Sequence, residues 1–368
     1  MRLRTILRTG HQWVGLGAAA LLMLQGASGI LWANQEALTV AFHPEARVAA
    51  NGRETLDNVL KAVAGRYPGA QLDRVAFPKD PRTALVARVV TQQKSMNVLL
   101  IDPSTARVLS SGPIWLYPEQ FAERLHGSLL AGKTGRWIVF SEGVLLVILA
   151  GSGLVLWWPG LAGLGPAFTI HISAPPRRLL RDLHLAPGAV AALLLLLTGL
   201  TGVLMASEPL AVAMVSHLAP MRGDITRAPQ VAVRPQAPMT AQQALDVLQR
   251  RFPRGRVTKL RTLGANEGAL LASFIDPQSS APPNHNPTAS DIAAIDRVTG
   301  AVTVIEDASD QLAGDALMGW LAPTHGGEIY GFMRPVITTG IGAILIMMVI
   351  TGISNWLARP RLSTGRKA

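Results

Sequence analysis

Residues 121–137 read FAERLHGSLLAGKTGRW, and residues 322–335 read APTHGGEIYGFMRP. Each stretch places a histidine followed by glycine about ten residues ahead of a long apolar run. The chain has only 8 histidines in 368 residues. Their recurrence at matching points is the first sign of two related halves.

The runs themselves decide the class. Segments 11–33, 137–158, 184–206 and 336–357 are each about 20 residues of largely apolar sequence, the length an α-helix needs to cross a bilayer. The first, third and fourth contain no Asp, Glu, Lys or Arg, and the second contains one acid, Glu142. Charged residues make up 15% of the chain, against about 25% for a soluble protein. The expectation is a polytopic α-helical membrane protein. The opening MRLRTILRTG and its apolar run are read as a first spanning helix, because that run is longer than a signal-peptide core and three more spans follow.

Charge placement orients the spans. Arg2, Arg4 and Arg8 precede the first, Arg177, Arg178 and Arg181 lie between the second and third, and Arg359, Arg361, Arg366 and Lys367 follow the fourth. Asp182 is the one acid among them, so these short segments hold most of the net charge of +11. Short basic loops stay in the cytoplasm. The high pI therefore reports topology, and no nucleic-acid partner is expected. The chain lacks cysteine, which excludes disulfides, thiolate-held iron–sulfur clusters and c-type haem attachment.

The duplication runs through the whole chain. Glycines follow His11 at Gly15, Gly26 and Gly29, and follow His184 at the same offsets, Gly188, Gly199 and Gly202. Gly143, Gly153 and Trp157 follow His126 as Gly342, Gly352 and Trp356 follow His325. Between the spans, ETLDNVLKAVAGRYPG and TAQQALDVLQRRFPRG carry apolar residues at helical spacing. Strand-like LDRVAF, ALVARVV and MNVLLIDPSTARVLSS follow the first, and VTKLRTL, GALLASFID and IAAIDRVTGAVTVIED follow the second.

This pattern divides the chain into a cytoplasmic N-terminus and first span (1–33), a first periplasmic domain (34–125), an interfacial histidine segment with the second span (126–158), a cytoplasmic loop (159–183) and a third span (184–206). A second periplasmic domain (207–324), a second histidine segment with the fourth span (325–358) and a cytoplasmic tail (359–368) complete it.

On LHGSLLAGKTGR with WWP, RDLH, and THGGEIYGF with NW, the sequence resembles the PepSY-associated transmembrane family, and within it the FoxB-type ferric siderophore (ferrioxamine) reductases. The resemblance covers essentially the whole chain. It implies a four-helix haem-binding membrane core made of two span–domain–span repeats, two periplasmic α+β PepSY-like domains, and reduction of siderophore-held iron.

Topology then sorts four histidines into two pairs. His11 and His184 open the first and third spans on the inner side, and His126 and His325 precede the second and fourth on the outer side. Imidazole is a common axial ligand of haem iron. The expectation is two haems b per chain, one near each face, forming an electron relay. Arg8 and Arg181 inside, and Arg136 and Arg334 outside, are candidates to meet the haem propionates; they serve equally well as interfacial anchors. Glycines after His126 and His325 are expected to break the helix and return these histidines to the membrane. His43, His171, His217 and His285 lack repeat partners and are read as surface residues. Glu142 either carries a proton coupled to reduction, hydrogen-bonds a ligand, or reaches the outer interface. Trp13, Trp32, Trp157, Trp158 and Trp356 are expected in an aromatic belt.

No G-x-G-x-x-G follows a strand and no P-loop is present, so electrons must come from a partner, quinol or a cytoplasmic flavin reductase. The expected substrate is a ferric siderophore, docked between the two outer domains, with 277–291 as its docking loop. Two other readings stand beside this one. One is a membrane-anchored PepSY module that binds or regulates proteins without redox activity, and the other is a metal-ion transporter, for which buried carboxylates are too few.

Overall fold

The computed structural model describes residues 2–49, 52, 54–221, 239–262, 269–276, 291–306 and 312–358. Residues 277–290 of the expected docking loop, His285, and the tail from 359 onward lie outside these. In chain order the helices are α1 (Arg2–Ala33), α2 (Gln35–Phe42), α3 (Leu56–Arg66), α4 (Pro118–Ser128), α5 (Gly132–Trp157), α6 (Leu164–Ala167), α7 (Pro176–Ala206), α8 (Glu208–Leu218), α9 (Ala241–Arg251), α10 (Ala313–His325) and α11 (Arg334–Leu357). Strands β1 (Gln71–Ala76), β2 (Leu85–Val90), β3 (Met96–Ile101) and β4 (Val108–Pro113) follow α3, and β5 (Arg256–Thr262), β6 (Ala269–Ile275), β7 (Asp291–Asp296) and β8 (Val302–Glu306) follow α9. The chain separates into two compact units, a helical one of residues 1–33, 122–208 and 324–368, and a mixed one of residues 34–121 and 209–323.

In the helical unit four helices are long and apolar enough to cross a membrane, α1, α5, α7 and α11. Trp137, Ile148 and Val155 on α5, and Val190, Leu193 and Leu200 on α7, are exposed. So much apolar surface suits lipid far better than water. Inside the bundle, Ala18, Leu22, Leu149, Ala191, Leu195, Leu345 and Val349 form the core. The principal packing runs α1 to α5, α5 to α7, α7 to α11 and α11 back to α1, so α1 stands diagonally across from α7.

Two of these contacts rest on repeat glycines. A Cβ at Gly26 would lie 3.0 Å from the Gly342 carbonyl, and one at Gly342 would lie 2.9 Å from the Gly26 carbonyl. Gly143 and Gly199 meet in the same reciprocal way, each with its Cβ position 3.5 Å from the other's carbonyl. Small residues allow helix backbones this close. The conserved spacing within the repeat thus gives the same crossing twice, once between α1 and α11 and once between α5 and α7.

The mixed unit departs from two separate domains. Its strands form one antiparallel sheet in the order β4-β3-β2-β1-β5-β6-β7-β8. The halves join where β1 pairs β5, with Val75 opposite Leu260. Those residues are repeat equivalents, by the same register that matches Tyr67 to Phe252 and Thr55 to Thr240, so a pseudo-twofold axis passes through their pair. Across the same axis the Leu56 N–H donates to Gln242 Oε1 (2.7 Å) and the Gln242 N–H donates to Asp57 Oδ1 (3.1 Å). Each helix start therefore satisfies free N–H groups of the other. Thr240 adds a capping box with Gln243, a motif that contributes about 1 kcal/mol.

Helices α3 and α9 cover one face of the sheet, where Val59, Val75, Leu85, Val89, Leu99 and Ile101 pack in the first half and Leu248, Leu260, Leu270, Phe274 and Ile295 in the second. Burial of such side chains contributes about 1.5–3 kcal/mol each. The first half is also covered on its other face, by Ala46, Ile114 and Tyr117 against Val98 and Leu100. On this sheet Arg88 donates to Asp73 Oδ2 through both Nε (2.9 Å) and Nη2 (2.7 Å). Burial pushes the Asp73 carboxyl up, but Arg88, with Arg74 and Arg261 nearby, outweighs that and holds it below the usual carboxylate range.

Candidate cofactor site: two histidine pairs

Each of the four repeat histidines is seated on a neighbouring helix in the same way. His11 Nδ1 lies 2.8 Å from Ser152 Oγ, and His184 Nδ1 lies 2.9 Å from Thr351 Oγ1. His126 Nδ1 lies 3.3 Å from Ser28 Oγ and 3.2 Å from the Gln25 carbonyl. His325 Nδ1 lies 3.1 Å from both Thr201 Oγ1 and the Thr198 carbonyl. Each half repeats the same contacts: α1 sends His11 to α5 and receives His126 from α4, and α7 sends His184 to α11 and receives His325 from α10.

Each hydroxyl is followed by a repeat glycine, and the imidazole packs on it. A Cβ would lie 3.2 Å from His126 Cε1 at Gly29, 3.2 Å from His11 Cε1 at Gly153, 3.0 Å from His325 Cε1 at Gly202 and 3.4 Å from His184 Cε1 at Gly352. A side chain at any of the four would push the ring out of its seat. The sequence reading found these glycines but missed Ser28, Ser152, Thr201 and Thr351 beside them. The signal was a Ser/Thr–Gly dipeptide present in every span.

The hydroxyls also set the proton on the ring. Ser28, Thr201 and Thr351 each donate to the carbonyl four residues back, Leu24, Leu197 and Met347, at 2.7 Å, and Ser152 donates to Leu149 at 3.2 Å. A hydroxyl has one hydrogen. With that hydrogen given to the backbone, its oxygen accepts from the imidazole, and Nδ1 carries the ring proton. The backbone carbonyls at His126 and His325 accept only, which enforces the same tautomer. Nε2 is then the free lone pair, and among the described residues it has no hydrogen-bond partner in any of the four. A metal-ligating histidine is held in this way, with one nitrogen donating and the other available.

Two of the four stand ring to ring. The rings of His126 and His325 have centres 6.0 Å apart, with planes inclined by 57°. Two imidazoles bound to opposite sides of one iron, with metal–nitrogen bonds of about 2 Å, have ring centres roughly 6 Å apart. His11 and His184 lie within electrostatic reach of each other. Along α1, the seat of His126 at Ser28 is about 25 Å from His11. Among the described residues no group of three or more His, Cys, Asp or Glu could hold a metal ion. Paired donors fit a group that brings the rest of its own coordination, and haem does.

Local geometry explains how His126 and His325 get there. Leu129 and Leu130, between α4 and α5, and Gly132, the first residue of α5, take positive φ, so the helix breaks three residues after His126. A Cβ on Gly135 would run into the Ser128 carbonyl, so the tight return needs glycine there. After His325, Gly327 and Gly331 have positive φ. Gln25 Nε2 donates to the His126 carbonyl at 3.0 Å, and Arg334 Nε donates to the Gly326 carbonyl at 3.0 Å. Arg334 also stands 3.9 Å from Glu328. It is engaged in holding the turn that carries His325, whereas Arg8, Arg136 and Arg181 are exposed.

Trp32 sits against His126, ring centres 5.6 Å apart. Trp157 has a buried Nε1 with no partner among the described residues, so these two face inward, while Trp13 and Trp158 are exposed. Of the histidines read as surface residues, His43 stacks on Tyr117 with ring centres 4.5 Å apart, His171 bonds Asp182 at 2.9 Å, and His217 donates to the Ala213 carbonyl at 2.7 Å.

Fold and site together define a polytopic membrane protein whose four-helix bundle presents two half-buried histidine pairs and whose loops build a twofold-related antiparallel sheet. The family described as PepSY-associated TM region matches residues 8–359, and the chain belongs to it. No curated protein matches the chain.

Proposed function

We propose that this protein is an inner-membrane di-haem b protein that passes electrons across the membrane to reduce a ferric siderophore in the periplasm and release Fe(II). The observation that carries the reading is the set of four histidines whose Nδ1 is engaged and whose Nε2 is free, with the outer two facing each other at 6.0 Å. When bound, haem supplies a one-electron carrier cycling between Fe(III) and Fe(II). His11 and His184 would hold it at the inner end, and His126 and His325 at the outer end. Held by two histidines at each end, the haem would supply electron transfer rather than binding of a small gas.

The surrounding residues have consistent parts. Ser28, Ser152, Thr201 and Thr351 hold the ring protons on Nδ1. Gly29, Gly153, Gly202 and Gly352 let the rings sit against the helix backbone. Arg8, Arg181 and Arg136 are assigned to the propionates, with Arg334 contributing through the His325 turn. Both termini are assigned to the cytoplasm by the positive-inside rule, with quinol or a cytoplasmic flavin reductase as electron donor. Reduction releases the iron because hard oxygen ligands hold Fe(III) better than Fe(II). A non-redox PepSY module bound to protein partners has no use for four imidazole nitrogens kept free.

The test is an absorption spectrum of the detergent-purified protein, oxidised and then dithionite-reduced, with haem counted per chain. The expected result is two b-type haems whose reduced bands are discharged by a ferric siderophore. His325→Ala is expected to lose the outer haem and the reductase activity while still inserting. Full activity with both haems retained in that variant would refute the assignment.

A further inference from the structure

Glu142 has no part in the arrangement so far. It lies in α5, is 2% exposed, and neither carboxylate oxygen has a hydrogen-bond partner among the described residues. Its neighbour Ser141 gives its hydroxyl hydrogen to the Trp137 carbonyl at 3.0 Å. The helices packed on α5 are α1 and α7. Neither 12–33 of α1 nor 185–206 of α7 contains Asp, Glu, Lys, Arg or a further histidine. The titratable groups brought to this part of the bundle from other elements are His126, seated on α1 at Ser28, and His325, seated on α7 at Thr201.

Depth in the bundle links the carboxyl to the outer pair. Gly143, the next residue, packs on α7 at Gly199 and Val203, its Cβ position lying 2.8 Å from Val203 Cγ2. Gly202, beside Val203, is the seat of His325. The bundle does not need an acid at this position for packing, because the repeat-equivalent residue is Ile341. A carboxylate enclosed without donors is costly in an apolar setting, and a nearby positive charge offsets the cost.

We propose that Glu142 is an intramembrane proton-binding site that takes up one proton each time the outer histidine-pair site gains one electron. The inference rests on the two-haem reading. In the oxidised state the site carries one more positive charge, which favours the ionised carboxylate. Each electron that a haem held there would gain from the quinol or flavin donor would be matched by one proton that the Glu142 carboxylate takes from bulk solvent to form its O–H, so the local charge would stay the same.

The experiment is redox potentiometry of the full-length holoprotein across a range of pH, in wild type and Glu142→Gln, with redox-difference infrared spectra of both. In wild type, one of the two midpoint potentials is expected to fall with pH by up to about 59 mV per unit, the value for one proton per electron. A protonated-carboxyl C=O band should appear on reduction. Glu142→Gln, which keeps the shape of the side chain, should flatten that slope, remove the band and leave the other haem unchanged. Should the glutamine variant fail to hold haem, Glu142→Asp decides the matter by shifting the band. Haem-loaded wild type with a pH-independent outer potential, or an unchanged slope in the glutamine variant, overturns the inference alone. A colourless preparation overturns the two-haem reading with it.

Discussion

Replacing Ser152 with alanine removes one hydroxyl and tests the whole account of how the imidazoles are held. His11 Nδ1 has Ser152 Oγ at 2.8 Å as its hydrogen-bond partner, and among the described residues no backbone carbonyl stands ready to replace the hydroxyl. His126 is different: Ser28→Ala leaves the Gln25 carbonyl at 3.2 Å. Loss of a partner that orients a metal-ligating histidine lowers affinity about 10–100-fold, or about 1.4–2.7 kcal/mol. We expect that full loss at the inner site of Ser152→Ala, and a loss below about 10-fold at the outer site of Ser28→Ala. The assay is haem content per chain together with the rate of haem transfer to an excess of a soluble scavenger. Alanine fits a helix at least as well as serine, so helix stability is not at issue. The reasoning is refuted if Ser152→Ala holds both haems as tightly as wild type, or if Ser28→Ala loses more than Ser152→Ala.

Two further outcomes follow from the geometry. Gly202→Val places a branched side chain where even a Cβ lies 3.0 Å from His325 Cε1, so it should empty the outer site and leave the inner one filled, as read by haem stoichiometry. Asp73 is held below its ordinary value, so its contribution to the mixed unit is present above the unfolded-state pKa of about 4 and is lost as pH falls through the lower, folded value. Circular-dichroism melts should show Asp73→Asn destabilised by about 2 kcal/mol at neutral pH, with the difference from wild type shrinking in acid.

Much of this was legible before the structure. Apolar length fixes four spans, and the glycines at equal offsets from the histidines stand where the structure needs them, because each offset carries a physical constraint. Gly26, Gly143, Gly199 and Gly342 make the helix crossings, while Gly29, Gly153, Gly202 and Gly352 make the ring seats. The hydroxyls were hidden because Ser and Thr commonly bond their own helix backbone in apolar spans, which looks like no signal at all. The fused sheet was hidden for another reason. Alternation in LDRVAF and VTKLRTL marks strands, but it does not say that two strands so far apart in sequence are partners.

That central pairing also governs the order of assembly. Strand β1 is made early, and its partner β5 comes roughly 180 residues later, behind two spanning helices. At synthesis rates of about 5–20 residues per second, β1 waits roughly 10–40 s with one edge open. An unpaired edge is a template for any passing strand. The nascent first half therefore spends that interval as its most aggregation-prone form, and closure of the sheet by β5 ends the exposure.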